Sequence, residues 1–393
     1  MSGDVIQVNT FASSAKSMKL LSAFCLLVAV SACAGDLPSQ RPQAASDGFV
    51  VETLAEGLSH PWGMAFLPDG SALITERAGR LRHFSDAGLS TPIAGVPKVL
   101  AQGQGGLFDV ALDNDFASNR KIYLSFAEPS ADGQRLGTAV ASAHLRLTPE
   151  LRLEQLKVLF RMNKKTASQR HFGSRLVVAP EEKLFITLGD RGERDRAQDA
   201  FDHAGSVIRI HTDGSVPADN PFADGAHGAA EIWSLGHRNV QGAALHPQSG
   251  DLWTLEHGAR GGDEINQPRA GRNYGWPIIS YGTHYSGAKI GVGSQAAGLE
   301  QPVHYWDPSI APSGLAFYQG EAFPAWQGNL LVGALRDQML VRLTLEGGRV
   351  LDEERLIKGQ YGRIRDLRVG PKGMIYLLTD ADKGRLLRLS PRP

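Results

Sequence analysis

One pattern recurs six times along this chain and constrains its fold more than any other feature. Each copy has a short apolar segment, a turn that often contains proline or glycine, and a second strand in which apolar and polar residues alternate. The six copies span residues 62–75, 107–126, 175–188, 241–255, 314–334 and 366–379. Their spacing, roughly 45 to 75 residues, fits four-stranded blades that carry insertions of unequal length. The repeats predict an all-β fold, a six-bladed β-propeller with four-stranded antiparallel blades.

Hairpins of this kind also occur in other all-β proteins, so a less regular sheet protein is the alternative. The 45 glycines and 21 prolines indicate many short strands joined by turns. No stretch has helical periodicity beyond a turn or two, which argues against α/β folds and helical bundles. Because the same turn chemistry returns between paired strands, we expect radial repetition over residues 48–393.

The first 33 residues have the features of an export signal. Lys16 and Lys19 precede an apolar run over residues 20–30 that is too short to span a bilayer and ends in small residues. Met18 is the expected start. Residues 1–33 are therefore interpreted as a signal peptide, and the mature protein is expected to be exported to the periplasm.

Cys33 follows small residues that are typical of a bacterial lipoprotein processing site. It is the candidate lipid anchor of a membrane-attached protein, and a plain signal peptide that happens to contain a cysteine is the alternative. Cys25 lies within the apolar run, so the exported chain has no second cysteine for a disulfide. Residues 34–47 are polar and contain proline, which predicts a flexible tether.

The charge balance excludes some partner classes. Forty-one basic residues match forty-one acidic ones, so nothing in the net charge indicates nucleic acid as a partner. An apolar content of 42% is enough to build a substantial core. Any electrostatic function must therefore depend on local clusters of charge.

Several clusters of polar residues precede the predicted repeats. In a propeller the loops at one end of every blade meet near the axis, so these residues are expected to converge. Gln104 lies between glycines, His171 precedes the third repeat, and Arg238 and Asn239 precede the fourth. A lone histidine is most often structural, yet imidazole is the commonest general base near neutral pH. The arginine and amide are suited to a planar ligand with carboxylates or carbonyls.

Three further segments carry charge. Residues 189–196 crowd both signs into one loop, and solvated ion pairs are the default interpretation. Residues 256–266 offer carboxylates and glycine carbonyls, the hard oxygen ligands that calcium prefers. Arg336, Arg363 and Arg365 lie at corresponding ends of the last two repeats. If they face the axis together with Arg238, they imply a polyanionic ligand.

Six separated motifs resemble one known family. The sequence is similar to the soluble, pyrroloquinoline-quinone (PQQ)-dependent sugar dehydrogenases, and more closely to their bacterial aldose sugar dehydrogenase branch. The resemblance covers about residues 53–389, nearly the whole mature chain. The motifs occupy residues 103–116, 171–176, 236–242, 256–266 with 272–277, 311–318 and 363–373. The resemblance implies a six-bladed propeller that holds the quinone near its axis, with calcium bridging cofactor and protein.

The resemblance also implies roles for individual residues. His171 matches the base that takes the proton from the hydroxyl group on the anomeric carbon. The matched quinone contacts are Gln104, Arg238, Asn239, Arg363 and Arg365. Arg336 stands where the family commonly has lysine, so the cationic charge is kept on a bulkier group.

Calcium ligands follow from the same resemblance. Gly258 and Ala259 match the positions whose main-chain carbonyls bind the bridging calcium, with alanine in place of the more usual proline. Glu264 and Tyr274 match a second calcium site of the aldose branch. Arg170 replaces an acidic neighbour of the base found in glucose-specific members, which favours neutral His171.

These features predict a PQQ- and calcium-dependent enzyme that oxidises aldoses to lactones. The sequence lacks the glycine-rich strand-to-helix turn of nicotinamide enzymes, and no side chain can itself accept a hydride. The expected partners are an aldose and an electron acceptor that the sequence does not identify, and the expected state is a monomer. Two alternatives remain, a calcium-dependent lactonase and a non-catalytic cell-surface binding propeller.

Overall fold

The structure, a computed structural model, describes residues 48–392. The interpretations of residues 1–33 as a signal peptide, of Cys33 as a lipid anchor and of residues 34–47 as a tether lie outside these residues. Within residues 48–392, no helix is both long enough and apolar enough to cross a membrane.

Twenty-four strands form six antiparallel sheets of four strands each, which confirms the predicted six-bladed β-propeller. The strands are β1 (Phe49–Leu58); blade 1, β2 (Pro61–Phe66), β3 (Ala72–Glu76), β4 (Arg80–Ser85) and β5 (Gly88–Leu89); blade 2, β6 (Leu107–Leu112), β7 (Lys121–Pro129), β8 (Leu136–Arg146) and β9 (Arg152–Arg161); blade 3, β10 (Leu176–Ala179), β11 (Lys183–Thr187), β12 (Ser206–His211) and β13 (Ile232–Leu235); blade 4, β14 (Val240–Leu245), β15 (Leu252–Glu256), β16 (Asp263–Asn266) and β17 (His304–Trp306); blade 5, β18 (Pro312–Phe317), β19 (Leu330–Ala334), β20 (Met339–Glu346) and β21 (Arg349–Leu356); and blade 6, β22 (Ile364–Val369), β23 (Ile375–Thr379) and β24 (Gly384–Pro391), which β1 completes.

The two ends of the described chain close the ring of blades. Strand β1 pairs antiparallel with β24, with Phe49 opposite Pro391 and Thr53 opposite Leu387. Blade 6 is therefore built from both ends of the sequence. Closure covers strand edges that would otherwise be free to pair with another chain.

Each sequence repeat corresponds to the first two strands of one blade. The turn between β2 and β3 illustrates the local chemistry, because Gly70 adopts a φ of +88° that favours glycine. The Asp69 carboxylate accepts hydrogen bonds from the main-chain N–H of Ser71 at 3.0 Å and from its hydroxyl at 2.6 Å. Turns that contain proline or glycine between paired strands are the feature by which the repeats were predicted from sequence.

The core lies between neighbouring blades. Leu73 and Leu81 of blade 1 pack in one cluster with Leu107, Val110 and Leu124 of blade 2. Burying each of these side chains contributes roughly 1.5–3 kcal/mol. Because the middle strands are covered on both faces, strands such as β11 are almost continuously buried rather than alternating.

Helical structure is minor within the described part of the chain. It consists of the four-residue α1 (Phe116–Asn119) and three 3-10 turns (Arg194–Gln198, Pro324–Trp326 and Pro371–Gly373). This confirms the expectation that no helical bundle or α/β layer forms.

The first strands of the six blades, β2, β6, β10, β14, β18 and β22, contact one another around the axis. They all run in the same direction through the centre of the ring, so their starting ends meet on one side of it. Residues that immediately precede or begin these strands are thereby brought together although they are far apart in sequence.

Candidate active site

A cavity of about 890 Å³ lies where the innermost strands begin. Nine of the eleven predicted site residues line it: Gln104, His171, Arg238, Asn239, Gly258, Ala259, Arg336, Arg363 and Arg365. They come from the starts of four different blades and from the loops after β15 and β19. The convergence that the repeats predicted therefore brings these residues to one place.

The other two predicted residues, Glu264 and Tyr274, lie behind this cavity. They line a small separate space that also touches Arg238 and Gly258. Burial, and then the negative charge of Glu256, raise the pKa of Glu264 to about 8. Tyr274 donates its hydroxyl proton to the carbonyl of Gln267. A role of Glu264 and Tyr274 in a second calcium site stays a prediction.

His171 is held from both its backbone and its ring. Its main-chain N–H donates to Gln104 Oε1 at 2.8 Å, and its φ of +53° turns the chain sharply into the cavity wall. Its ring Nδ1 lies 2.6 Å from Asp190 Oδ1. Because Asp190 is an acceptor, this contact places the proton on Nδ1 in the neutral ring. Nε2 makes no hydrogen bond with the residues that the structure describes, which leaves a basic nitrogen at the cavity.

Asp190 is the positioning residue for His171, and the sequence interpretation missed it. Residues 189–196 were expected to form solvated ion pairs, but Asp190 is 1% exposed and Arg191 is fully buried. The Asp190 carboxylate also accepts hydrogen bonds from Trp276 Nε1 at 2.8 Å and from the Gly192 N–H at 2.6 Å. The default interpretation was therefore wrong for these two residues.

The environment of this pair shifts both pKa values downward. Burial opposes ionisation of Asp190, but the hydrogen bond and charge of His171, and the charge of Arg238, lower the Asp190 pKa overall. Burial lowers the pKa of His171 below 6.5. The hydrogen bond that its ring donates to Asp190 raises this pKa, and the positive charges of Arg238 and Arg170 lower it. His171 is consequently neutral near pH 7 and can accept a proton.

The cavity is strongly cationic. Six arginines line it against two aspartates, Asp307 and Asp380. Four of these arginines make no ion pair with any described residue: Arg77, Arg238, Arg260 and Arg336. Unpaired guanidinium groups that converge on one space favour a ligand with several negative charges.

Arg238 is the most buried of the unpaired cations. Its Nη1 donates to the carbonyl of His257 at 3.1 Å, and its guanidinium lies 5.2 Å from the centre of the Trp276 ring. Its Nε is buried and has no acceptor among residues 48–392. A buried donor without an acceptor is costly, and a ligand oxygen would satisfy it.

Arg363 and Arg365 both reach the cavity and share Asp380. Their Nη2 atoms lie 3.4 and 3.1 Å from Asp380 Oδ2, and Nδ1 of His60 lies 2.8 Å from Oδ1. The positive charge of Arg365, with further hydrogen bonds, outweighs burial and holds the pKa of Asp380 far below its usual range. Neither Asp380 nor His60 was identified from sequence. The available signal was that Asp380 directly follows Thr379, the last residue of the sixth repeat, because this strand end lies beside the start of β22.

Main-chain packing shapes the loop after β15. A Cβ atom added to Gly258 would lie 2.1 Å from the carbonyl oxygen of Gly261, so only glycine fits this turn. The described residues contain no group of three or more His, Cys, Asp or Glu side chains placed to hold a metal ion. A metal at this loop would therefore depend on main-chain carbonyls. A lactonase with an axial metal bound by several carboxylates would need a different set of side chains.

Comparisons with known proteins show which proteins the chain resembles over most of its length. The sequence profile described as Glucose / Sorbosone dehydrogenase matches residues 58–388. Aldose sugar dehydrogenase YliI of Escherichia coli is 47% identical over 347 residues, which is 87% of this chain and 93% of the relative.

Solved structures extend the likeness. The soluble aldose sugar dehydrogenase of E. coli in its apo-form superposes with a TM-score of 0.85 at 46% identity, covering 88% of this chain and all of that one. The PQQ-bound aldose sugar dehydrogenase of Streptomyces coelicolor superposes with a TM-score of 0.73 at 28% identity, covering 89% of this chain and all of that one. The chain therefore belongs to the glucose/sorbosone dehydrogenase family of six-bladed propellers.

Proposed function

We propose that this protein oxidises aldose sugars at the anomeric carbon to the corresponding lactone, with PQQ and calcium as cofactors and His171 as the general base. One observation carries the proposal. A neutral, carboxylate-oriented imidazole and four arginines without ion-pair partners line the same cavity. The family relatives that are named as aldose sugar dehydrogenases, one of them PQQ-bound, support the same activity.

The residues present fit the proposed cofactor. PQQ carries three carboxylates, and the cavity offers the unpaired guanidinium groups and the buried Arg238 Nε donor that such a ligand would satisfy. The residues that would hold it are Gln104, Arg238, Asn239, Arg336, Arg363 and Arg365. When bound, the quinone supplies the hydride acceptor that the side chains lack, and calcium supplies a charge that polarises it.

The proposed task of His171 is proton removal. Nε2 takes the proton of the hydroxyl group on the anomeric carbon while the hydride leaves that carbon, so the carbon is oxidised by two electrons. Asp190 holds the ring in the required tautomer and stabilises the imidazolium that forms. General-base catalysis of this kind contributes about 10²- to 10⁴-fold in rate.

Calcium would be bound by oxygen atoms of the loop after β15. The proposed ligands of the bridging ion are the main-chain carbonyls of Gly258 and Ala259, which line the cavity. Glu264 and Tyr274 are proposed for a second ion in the smaller space behind it. Export to the periplasm, a lipid anchor at Cys33, an external electron acceptor and a monomeric state belong to the same proposal.

Reconstitution tests the proposal. Purified protein is titrated with PQQ in the presence of calcium, and binding is monitored by the quenching of tryptophan fluorescence. We expect one quinone to bind per chain. The holoenzyme is then expected to reduce an artificial dye when glucose or another aldose is added, with lactone as the product. Binding without oxidation of any aldose would instead indicate a non-catalytic binding propeller, and no binding would contradict the proposal.

The pH dependence of kcat/KM is expected to report on His171. Only the neutral ring accepts a proton, so kcat/KM falls as the pH drops through the His171 pKa, which lies below 6.5. Replacing Arg170 by glutamate turns a charge that lowers this pKa into one that raises it. The acid limb of the profile in Arg170→Glu is therefore expected to move to higher pH.

The control for this shift is Arg349→Glu, the same charge change at an exposed position in blade 5. It should leave the acid limb in place. His257 stays neutral over the range because burial lowers its pKa to about 3. An acid limb that Arg170→Glu does not move would show that another group controls it.

Gly258→Ala is expected to weaken calcium-dependent uptake of PQQ about tenfold or more. The added Cβ would lie 2.1 Å from the Gly261 carbonyl oxygen, so the backbone of the loop must shift and move its carbonyls. The matched variant Ala259→Gly removes a methyl group but keeps the carbonyl, and it should bind PQQ with affinity close to that of the wild type. Equal calcium dependence in both variants would exclude this loop as the metal site.

A further inference from the structure

A ring of six equivalent positions surrounds the propeller axis just below the cavity. The third residues of five innermost strands and the residue before β10 form it: Gly63, Asp109, Arg175, Gly242, Gly314 and Asp366. Strand pairing is irregular beside this position in β2, β6, β14, β18 and β22, as expected where bulges redirect a side chain. The residues one step earlier in four strands, Trp62, Phe108, Gln241 and Arg365, line the cavity itself.

Three of the six axial residues are charged and meet at the centre. Nη1 of Arg175 lies 3.1 Å from Asp109 Oδ1 and 3.1 Å from Asp366 Oδ1, and all three side chains are at most 1% exposed. Arg368 of β22 adds a second guanidinium, 3.2 Å from Asp109 and 2.9 Å from Asp366. A buried cluster with two charges of each sign thus fills the axis.

Glycine at the other axial positions makes room for this cluster. A Cβ atom at Gly63 would lie 2.5 Å from Asp109 Oδ1, and one at Gly314 would lie 2.9 Å from Asp366 Oδ1. Main-chain donors also fix the carboxylates, because the N–H of Leu176 donates to Asp109 Oδ2 at 2.9 Å. The position of Arg175 is therefore determined from several blades at once.

Arg175 connects this cluster to the wall of the cavity. Its guanidinium carbon lies 4.4 Å from the centre of the Trp62 ring, and its Nε donates to the main-chain carbonyl of Gln241 at 3.2 Å. Its Nη2 has no hydrogen-bond acceptor among residues 48–392. The face of the Trp62 ring is therefore the partner of this part of the guanidinium group. The Gln241 side chain in turn accepts from Arg365 Nη1 at 3.0 Å.

We propose that Arg175 is a positioning residue for the cofactor cavity, which it serves by fixing the Trp62 ring and the Gln241 segment against the axial carboxylates. The inference rests on the proposed function for the identity of the ligand. Trp62 then presents a rigid aromatic surface to the cavity, and Gln241 orients Arg365. A lysine at position 175 keeps the charge but has neither the planar face for Trp62 nor the Nε donor for Gln241.

Arg209 provides a matched control. Its guanidinium carbon lies 4.0 Å from the centre of the Trp233 ring, its Nε donates to Asn220 at 2.7 Å, and it is 4% exposed. It belongs to β12, and neither it nor Trp233 lines the cavity. Arg209→Lys thus disturbs an equivalent buried arginine–tryptophan pair elsewhere in the propeller.

The first test needs no cofactor. In apo-protein labelled with 5-fluorotryptophan, the ¹⁹F resonance of Trp62 is assigned from its loss in Trp62→Phe. Arg175→Lys is expected to shift this resonance and leave that of Trp233 unchanged, whereas Arg209→Lys is expected to do the reverse. A Trp62 resonance that Arg175→Lys leaves in place would overturn the inference.

The second test measures PQQ affinity. Arg175→Lys is expected to raise the dissociation constant about tenfold, while kcat at saturating PQQ changes less than about threefold. Arg209→Lys should bind PQQ like the wild type. In the Trp62→Phe background, Arg175→Lys should raise the dissociation constant for PQQ by a smaller factor than it does in the wild-type background. The reason is that both substitutions remove the same contact.

The outcomes separate this inference from the proposed function. Wild-type PQQ affinity in Arg175→Lys, or an equal loss in Arg209→Lys, would contradict the positioning role. If the wild type itself does not bind PQQ, the proposed function fails, and the ¹⁹F measurement alone decides whether Arg175 positions Trp62.

Discussion

His171→Gln is expected to lower kcat for aldose oxidation by about 10²- to 10⁴-fold while the protein still binds PQQ. Glutamine keeps the main-chain N–H that donates to Gln104 but offers no nitrogen that can accept a proton. The measurement is dye-linked oxidation of glucose by holoenzyme, together with a PQQ titration of the same preparation. Binding close to wild type combined with lost turnover would assign the defect to the chemical step.

The control is His227→Gln, which makes the same change at an exposed histidine away from the cavity. It should retain full activity. Asp190→Asn supplies a second comparison, because it leaves Nε2 in place but removes the carboxylate that orients the ring. Undiminished turnover in His171→Gln would exclude His171 as the base.

Arg238→Met is expected to raise the dissociation constant for PQQ about 10- to 150-fold. A charge-assisted hydrogen bond contributes roughly 1.5–3 kcal/mol, which corresponds to this range. Methionine keeps an unbranched apolar chain against Trp276 and removes the cation that has no carboxylate partner. The effect should appear in equilibrium titrations with PQQ and should shrink at high salt.

Arg342→Met is the matched control for this change. Its guanidinium carbon lies 5.1 Å from the centre of the Trp326 ring, much as Arg238 lies over Trp276, but it pairs with Glu354 in blade 5 outside the cavity. PQQ affinity should be unchanged in this variant. Equal losses in Arg238→Met and Arg342→Met would indicate general destabilisation, and no loss in Arg238→Met would place the anionic ligand elsewhere.

The blades could be predicted because the residues that define each strand pair are close together in the sequence. Each repeat joins two strands through a short turn, and turns such as the one at Asp69 and Gly70 have a recognisable composition. The closure of the ring could not be found in the same way. The pairing of Phe49 with Pro391 joins residues at opposite ends of the described chain. No short turn connects these two strands, so the sequence has no turn residues from which the pairing could be predicted.

The site residues also fall into two groups, those that could be predicted from the sequence and those that could not. His171 and Arg238 could be identified because they lie just before the innermost strands, where propeller geometry brings residues together. Asp190 and Asp380 follow the second strands of their blades instead. Antiparallel pairing with the first strands brings Asp190 beside His171 and Asp380 beside Arg365. In the sequence, Asp190 lies in a run of mixed charge that does not reveal burial. The axial position of Arg175 likewise follows from the alignment of six strands rather than from its neighbours in the chain.

We propose that this cavity holds PQQ where an aldose can reduce it. The most direct test is an absorbance spectrum of protein reconstituted with PQQ and calcium, recorded without oxygen before and after one equivalent of aldose is added. The proposed function predicts that the spectrum of the bound quinone converts to that of its reduced form and that one lactone forms per chain. A bound quinone that stays oxidised with every aldose tested, in protein whose His171 and Arg238 are intact, would contradict it.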